Sequence, residues 1–144
     1  MSRLASGLMQ LRDWDLALCI QFNRGIRIRP VLHFFRVVSR LGDGVFWYSL
    51  GLALLAVGGA QAFGPVLQMA LTGVFCTALY KWLKARTSRL RPCAVEAAVR
   101  AGAAPLDTFS FPSGHTLHAV AFTLIATAHV PALAWLLVPF SLLV

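Results

Sequence analysis

The stretch Val45–Phe63, VFWYSLGLALLAVGGAQAF, runs for about 19 residues without a charge. At 1.5 Å per residue a helix of that length is about 28 Å long, close to the thickness of a bilayer's hydrocarbon core. Trp47 and Tyr48 at its start are the residue types that sit at a water–lipid boundary. Gly51, Gly58 and Gly59 are small positions at which helices can approach closely. Gly64-Pro65 turns the chain, and a second apolar segment follows from Pro65 to about Tyr80, ending in Lys81, Trp82 and Lys84. Two spanning helices joined by so short a loop form a hairpin. Its outer ends, the basic amino-terminal segment and the stretch after Lys81, therefore face the same side of a membrane.

Composition extends that reading to the whole chain. Of 144 residues 58% are hydrophobic and only 12% are charged, too apolar for an ordinary soluble domain of this size. The expected class is all-α: an integral membrane helical bundle with amphipathic amino-terminal helices and about four apolar helices, the last one incomplete. The net charge of +8 comes from 13 Lys+Arg against 5 Asp+Glu. The basic residues flank apolar segments and do not interleave with aromatics on one face, which fits attraction to anionic lipid head groups and speaks against nucleic acid as a partner. Three cysteines, Cys19, Cys76 and Cys93, with no CxxC spacing, argue against a disulfide framework or a zinc site. Residues 1–12 lack the apolar run and cleavage site of a signal peptide.

Residues 8–40 read as interfacial helices. Leu8, Leu11, Leu18 and Phe22 share a face, Asn23-Arg24-Gly25 marks a turn, and Pro30 can open a second helix from Val31 to about Leu41. The alternative for 8–22 is an ordinary packing helix, and His33 is placed at the interface without a chemical role. Gly42-Asp43-Gly44 reads as a turn. Beyond the hairpin, residues 85–112 form a polar loop with Arg86, Arg89, Arg91, Arg100 and Asp107, and 94–101 can make a short helix within it. His115–Val130 is a third apolar segment, and Ala132–Val144, after Pro131, is a fourth of about 13 residues where spanning needs about 20.

Between loop and third segment stands Phe109-Ser110-Phe111-Pro112-Ser113-Gly114-His115-Thr116. Ser113 is a good N-cap, and Gly114 lets a ligand approach the backbone. The first N–H groups of a helix have no internal partner and lie at the positive end of its dipole, so a phosphate fits there. His115, in the first turn, can give a proton to a leaving oxygen. Taken alone, the same residues also read as a polar helix cap beside a membrane. Lys84, followed after six residues by Arg91-Pro92, changes the balance. Pro92 biases Arg91 away from helical geometry, which can swing its guanidinium back toward the helix end. A lysine point charge and an arginine fork suit phosphate oxygens. Lys81, Arg86 and Arg89 have no place in that spacing and read as snorkelling side chains.

Lys84-(six residues)-Arg91-Pro92 followed by Pro112-Ser113-Gly114-His115 resembles the first two signature motifs of the type 2 phosphatidic acid phosphatase superfamily. Its members include bacterial lipid phosphate, phosphatidylglycerophosphate and undecaprenyl diphosphate phosphatases. Leu41-Gly42-Asp43-Gly44 also resembles bacterial members, and the likeness covers most of residues 20–144. The resemblance implies that Lys84 and Arg91 bind the phosphate, that Ser113 and Gly114 hold its oxygens, and that His115 protonates the leaving group. It implies a phosphohistidine intermediate, with no metal and no cofactor, and residues 1–144 as one membrane-embedded phosphatase-like domain with 85–112 as its active-site loop.

The family's third motif, Ser-Arg and then a nucleophilic histidine with an orienting aspartate, is not found in residues 1–144. His118, three residues after His115, would lie beneath the pocket, and His129, about 21 Å along the helix, would lie near the opposite membrane face. The expectation is a sequence truncated before that motif, or a degenerate relative that holds phosphate without turning it over. Three functions follow. The leading one is a membrane phosphatase of lipid or isoprenoid phosphates or diphosphates. The second is a non-catalytic protein that binds anionic lipid head groups. The third is a haloperoxidase-like relative, which the membrane composition disfavours. The expected location is multi-pass in a bacterial inner membrane, with the pocket outward.

Overall fold

The structure is a computed structural model and describes residues 3–102 and 109–144. Among these residues the regular elements are helices, with an isolated bridge between Leu90 and Phe109. The helices are α1 (Arg3–Asn23), α2 (Arg29–Arg40), α3 (Phe46–Gly58), α4 (Phe63–Thr87), the single turn α5 (Pro92–Val95), α6 (Gly114–His129) and α7 (Ala134–Leu143). The helical run from Arg29 to Thr87 is long and apolar enough, by length and composition, to cross a membrane, and the apolar run Pro131–Leu143 is shorter. The chain divides into two compact units, Met1–Phe34 with Arg89–Ser110, and Phe35–Ser88 with Phe111–Val144.

In the first unit α1 is followed by a 3-10 turn, Arg24–Arg27. The Asn23 amide holds the backbone of Arg100 from both sides: Nδ2 donates to Arg100 O at 2.7 Å, and the Arg100 N–H donates to Oδ1 at 2.9 Å. Arg89 pairs with Asp15, both about half exposed. The Ser110 N–H donates to Arg89 O at 2.8 Å and its hydroxyl donates to Leu90 O at 3.1 Å, which closes the neck of the polar loop. Asp107, assigned to that loop from sequence, lies outside the described residues. The short helix forms at 92–95 and not at 94–101. Pro92 is favoured at a first helical position, and Glu96 ends the turn in extended backbone. Leu11, Trp14, Leu18 and Phe22, spaced along one face of α1, are all exposed.

In the second unit the hairpin of α3 and α4 is shifted along the sequence from its predicted place. Gly58-Gly59 stops α3 after 13 residues, with Gly59 at φ +54, and a 3-10 turn over Gly59–Ala62 leads into α4. α4 runs past Tyr80 to Thr87 because Lys81–Arg86 are good helix formers, and Ser88 ends it in the left-handed region. α4 and α6 pack antiparallel. Tyr80 meets Gly114 and His118, Gly73 meets Phe122, and Gln68 meets His129. A Cβ on Gly73 would come within 3.0 Å of the Phe122 ring, so glycine sets how closely the two helices approach.

The core joins α3, α6 and α7. Trp47, Ala119, Ala126 and Leu137 are buried, with Phe46, Leu50, Phe122 and Phe140 packed around them. Phe46 and Phe140 have ring centroids 4.1 Å apart, and Trp47 meets Phe122 edge-on at 5.3 Å. A hydroxyl pair, Thr123 with Ser141 at 2.6 Å, adds a polar link between α6 and α7.

Candidate active site

α6 begins where its sequence predicts. Ser113 is the N-cap, in extended backbone, and its hydroxyl oxygen accepts from the Thr116 N–H at 3.3 Å. The Leu117 N–H makes the first intrahelical bond, to Ser113 O at 3.1 Å. The N–H groups of Gly114 and His115 come before it and have no acceptor within the helix. The Ser113 oxygen is occupied as an acceptor, and its own O–H remains able to donate. These donors sit at the positive end of the α6 dipole, an arrangement suited to an anion.

Lys84 reaches the same end of the helix pair from α4. It is 8% exposed, a buried cation one turn before the end of α4. Its ammonium lies 5.3 Å from the centroid of the Tyr80 ring, its neighbour at i−4. The same ring packs on Gly114, where a Cβ would come within 3.2 Å of a Tyr80 ring carbon. One aromatic side chain thus touches both the lysine and the glycine of the helix cap. The Thr87 hydroxyl donates to Phe111 O at 2.9 Å, fastening the last turn of α4 to the residue before Pro112.

His115 meets a partner that the sequence reading left as part of a turn. Its Nε2 lies 2.5 Å from Asp43 Oδ1, and the two side chains are 27% and 26% exposed. Asp43 sits in the kink between α2 and α3, where Gly44 takes φ +127. The sequence signal was a lone carboxylate at the head of an apolar segment, flanked by glycines, on the side of the pocket. Tyr80, also missed, was marked only by its helical spacing from Lys84.

The other histidines fall elsewhere. His118 lies beneath the cap, as predicted, and fastens it. Gly114 O can only accept, so His118 Nδ1 donates to it, at 2.7 Å. Its Nε2 is 3.1 Å from Gly73 O and 3.2 Å from Thr77 Oγ1 on α4. His129, at the far end of α6, has Nε2 3.4 Å from Gln68 Oε1. His33 is exposed in the first unit.

The structure therefore brings Lys84, Ser113, Gly114 and His115 to one end of the second unit and adds Asp43 and Tyr80. Arg91 belongs to the first unit. Its backbone is extended (φ −71, ψ 143), as the following proline requires, and it caps α5. Of the three remaining basic residues near the helix end, Lys81 and Arg86 are exposed, the latter stacked 5.3 Å over Trp82, and Arg89 pairs with Asp15. Among the described residues no group of three or more His, Cys, Asp and Glu side chains lies together as a metal site would need.

Residues 61–144, more than half of the chain, match the family model of the PAP2 superfamily. Neither a curated protein nor a solved structure matches the chain.

Proposed function

The chain belongs to the PAP2 superfamily, and from that premise we propose that it is a membrane phosphatase acting on a lipid or isoprenoid phosphate, with a phosphate-holding and proton-donating site at the start of α6. Membership makes it a phosphatase-type hydrolase of phosphate esters. The reading of its site rests on one observation: a buried lysine and an open helix N-terminus share a single tyrosine ring, Tyr80. In this reading Lys84 neutralises the phosphate. The Ser113 hydroxyl and the N–H groups of Gly114 and His115 hold its oxygens. Arg91 supplies a second, bidentate cation through the Arg91-Pro92 motif. His115 gives its proton to the leaving alcohol oxygen as the P–O bond breaks, and the oxygen of water replaces it on phosphorus in the net hydrolysis.

The bilayer belongs to the same proposal. Val57 and Trp135 are 91% and 89% exposed, and Leu52, Val74 and Leu142 also point outward. Small and polar residues, Gly51, Ala119, Thr123, Ala126 and Lys84, share the interior with Trp47 and Leu137. So many large apolar residues outside suit a lipid solvent, where water would oppose such a surface. We place the chain as multi-pass in a bacterial inner membrane, with α1 at the interface through Leu11, Trp14, Leu18 and Phe22.

A second reading, head-group binding without turnover, draws on the same residues, because Lys84 and the α6 cap suit an anion whether or not its ester bond breaks. Phosphate release from phosphatidic acid or a prenyl diphosphate, measured on the purified chain in detergent micelles, separates the two. Release that disappears in His115→Ala supports the phosphatase, and release that survives that change removes His115 from the chemistry. Absence of release, with lipid binding weakened by Lys84→Ala and Arg91→Ala, supports head-group binding.

A further inference from the structure

The kink between α2 and α3 is built to deliver one carboxylate to one ring nitrogen. Asp43 Oδ1 and His115 Nε2 are 2.5 Å apart although the residues are 72 positions apart in sequence. Two glycines make the approach possible. At Gly42 a Cβ would stand 3.2 Å from His115 Cδ2 and 2.8 Å from Val144 Cγ1, so any side chain there would push on the ring. At Gly44 the backbone has φ +127, a region L side chains rarely adopt, and this lets the chain turn directly into α3. Among the described residues His115 Nδ1 has no hydrogen-bond partner.

The geometry points to Asp43 as the positioning residue of the phosphate site: it accepts the Nε2–H of His115, fixes the ring's orientation, and leaves Nδ1 as the nitrogen that takes up a proton and passes it to an oxygen of a phosphate group bound at Ser113–Gly114. The inference rests on the reading of His115 as a phosphate-site residue. Which nitrogen of a histidine carries the hydrogen is set by the bond the other one makes, and a carboxylate that can only accept commits Nε2–H. The Asp43 carboxylate touches the ring and not the phosphate, so it acts through His115.

The test is 15N NMR of the histidine-labelled chain in detergent micelles, with the His115 signals assigned by their loss in His115→Ala. The expected wild-type spectrum has Nε2 protonated and hydrogen-bonded, and Nδ1 shifting on titration with inorganic phosphate. Asp43→Asn, close in shape, mixes the two tautomers and weakens the phosphate response at least about fivefold. Gly42→Ala keeps the carboxylate but displaces the ring, and produces the same mixing, which separates lost orientation from lost charge. A His115 spectrum unchanged by both substitutions overturns the assignment of Asp43. A wild-type spectrum that shows the Nε2–H tautomer but no response to phosphate leaves the Asp43–His115 pair standing and removes phosphate from the site.

Discussion

The two ends of the antiparallel α4–α6 pair are built from similar residues and arranged to different effect. Each has a histidine on α6 facing a polar side chain. At the far end His129 Nε2 lies 3.4 Å from Gln68 Oε1, an exposed contact beside a proline turn. At the near end a buried lysine, an aspartate–histidine pair and a capping serine surround N–H groups with no acceptor in the helix. The near end thus gathers a cation, a proton carrier and helix N–H donors with no acceptor inside the helix, a set that suits an anion, and the far end gathers no such set.

Substitutions can break that contrast. The largest stability effect is expected at His118, which joins the cap to α4 through Gly114 O and the Gly73–Thr77 turn of helix. His118→Ala removes the side-chain links to Gly114 O and to α4 and opens a half-buried gap between the helices, at a cost of about 2 kcal/mol. Thermal unfolding in detergent, followed by circular dichroism, checks this. Ser113→Ala removes the N-cap and is expected to cost about 1 kcal/mol in the same assay. It should also weaken phosphatidic acid binding, because in the proposed site the hydroxyl holds a phosphate oxygen. His129→Ala marks the lower bound, with a stability change below about 0.5 kcal/mol and no change in lipid binding. Equal effects at His118 and His129 would erase the difference between the two ends.

Much of the near end was legible because it is local. A serine before a glycine and an apolar run predicts the cap, and the structure has Ser113 Oγ on the Thr116 N–H. The proline after Arg91 predicts its extended backbone. Two apolar helices in succession were legible from the two uncharged runs, but the turn between them was not: Gly64-Pro65 lies inside α4 and the chain turns at Gly59–Ala62. Gly58-Gly59 broke α3 early, and favourable propensity carried α4 beyond the apolar residues to Thr87. Asp43 was out of reach for a different reason. Its meeting with His115 depends on the path of the chain through a kink and on the packing of α6, and no periodicity in either segment records it. Tyr80 is similar: its spacing from Lys84 is visible, but its second contact, with Gly114, is tertiary.

The central claim is that Lys84 is part of a phosphate site and not one more basic residue at a membrane edge. Lys81 is the natural control, with the same charge on the same helix, one turn earlier and exposed where Lys84 is buried. The measurement is calorimetric titration of short-chain phosphatidic acid into the wild-type chain, Lys84→Ala and Lys81→Ala in detergent micelles. Loss of a charge-assisted bond of about 1.5–3 kcal/mol predicts binding about 10–100-fold weaker in Lys84→Ala, and within about twofold of wild type in Lys81→Ala. Equal losses in both variants, or none in either, would contradict the account.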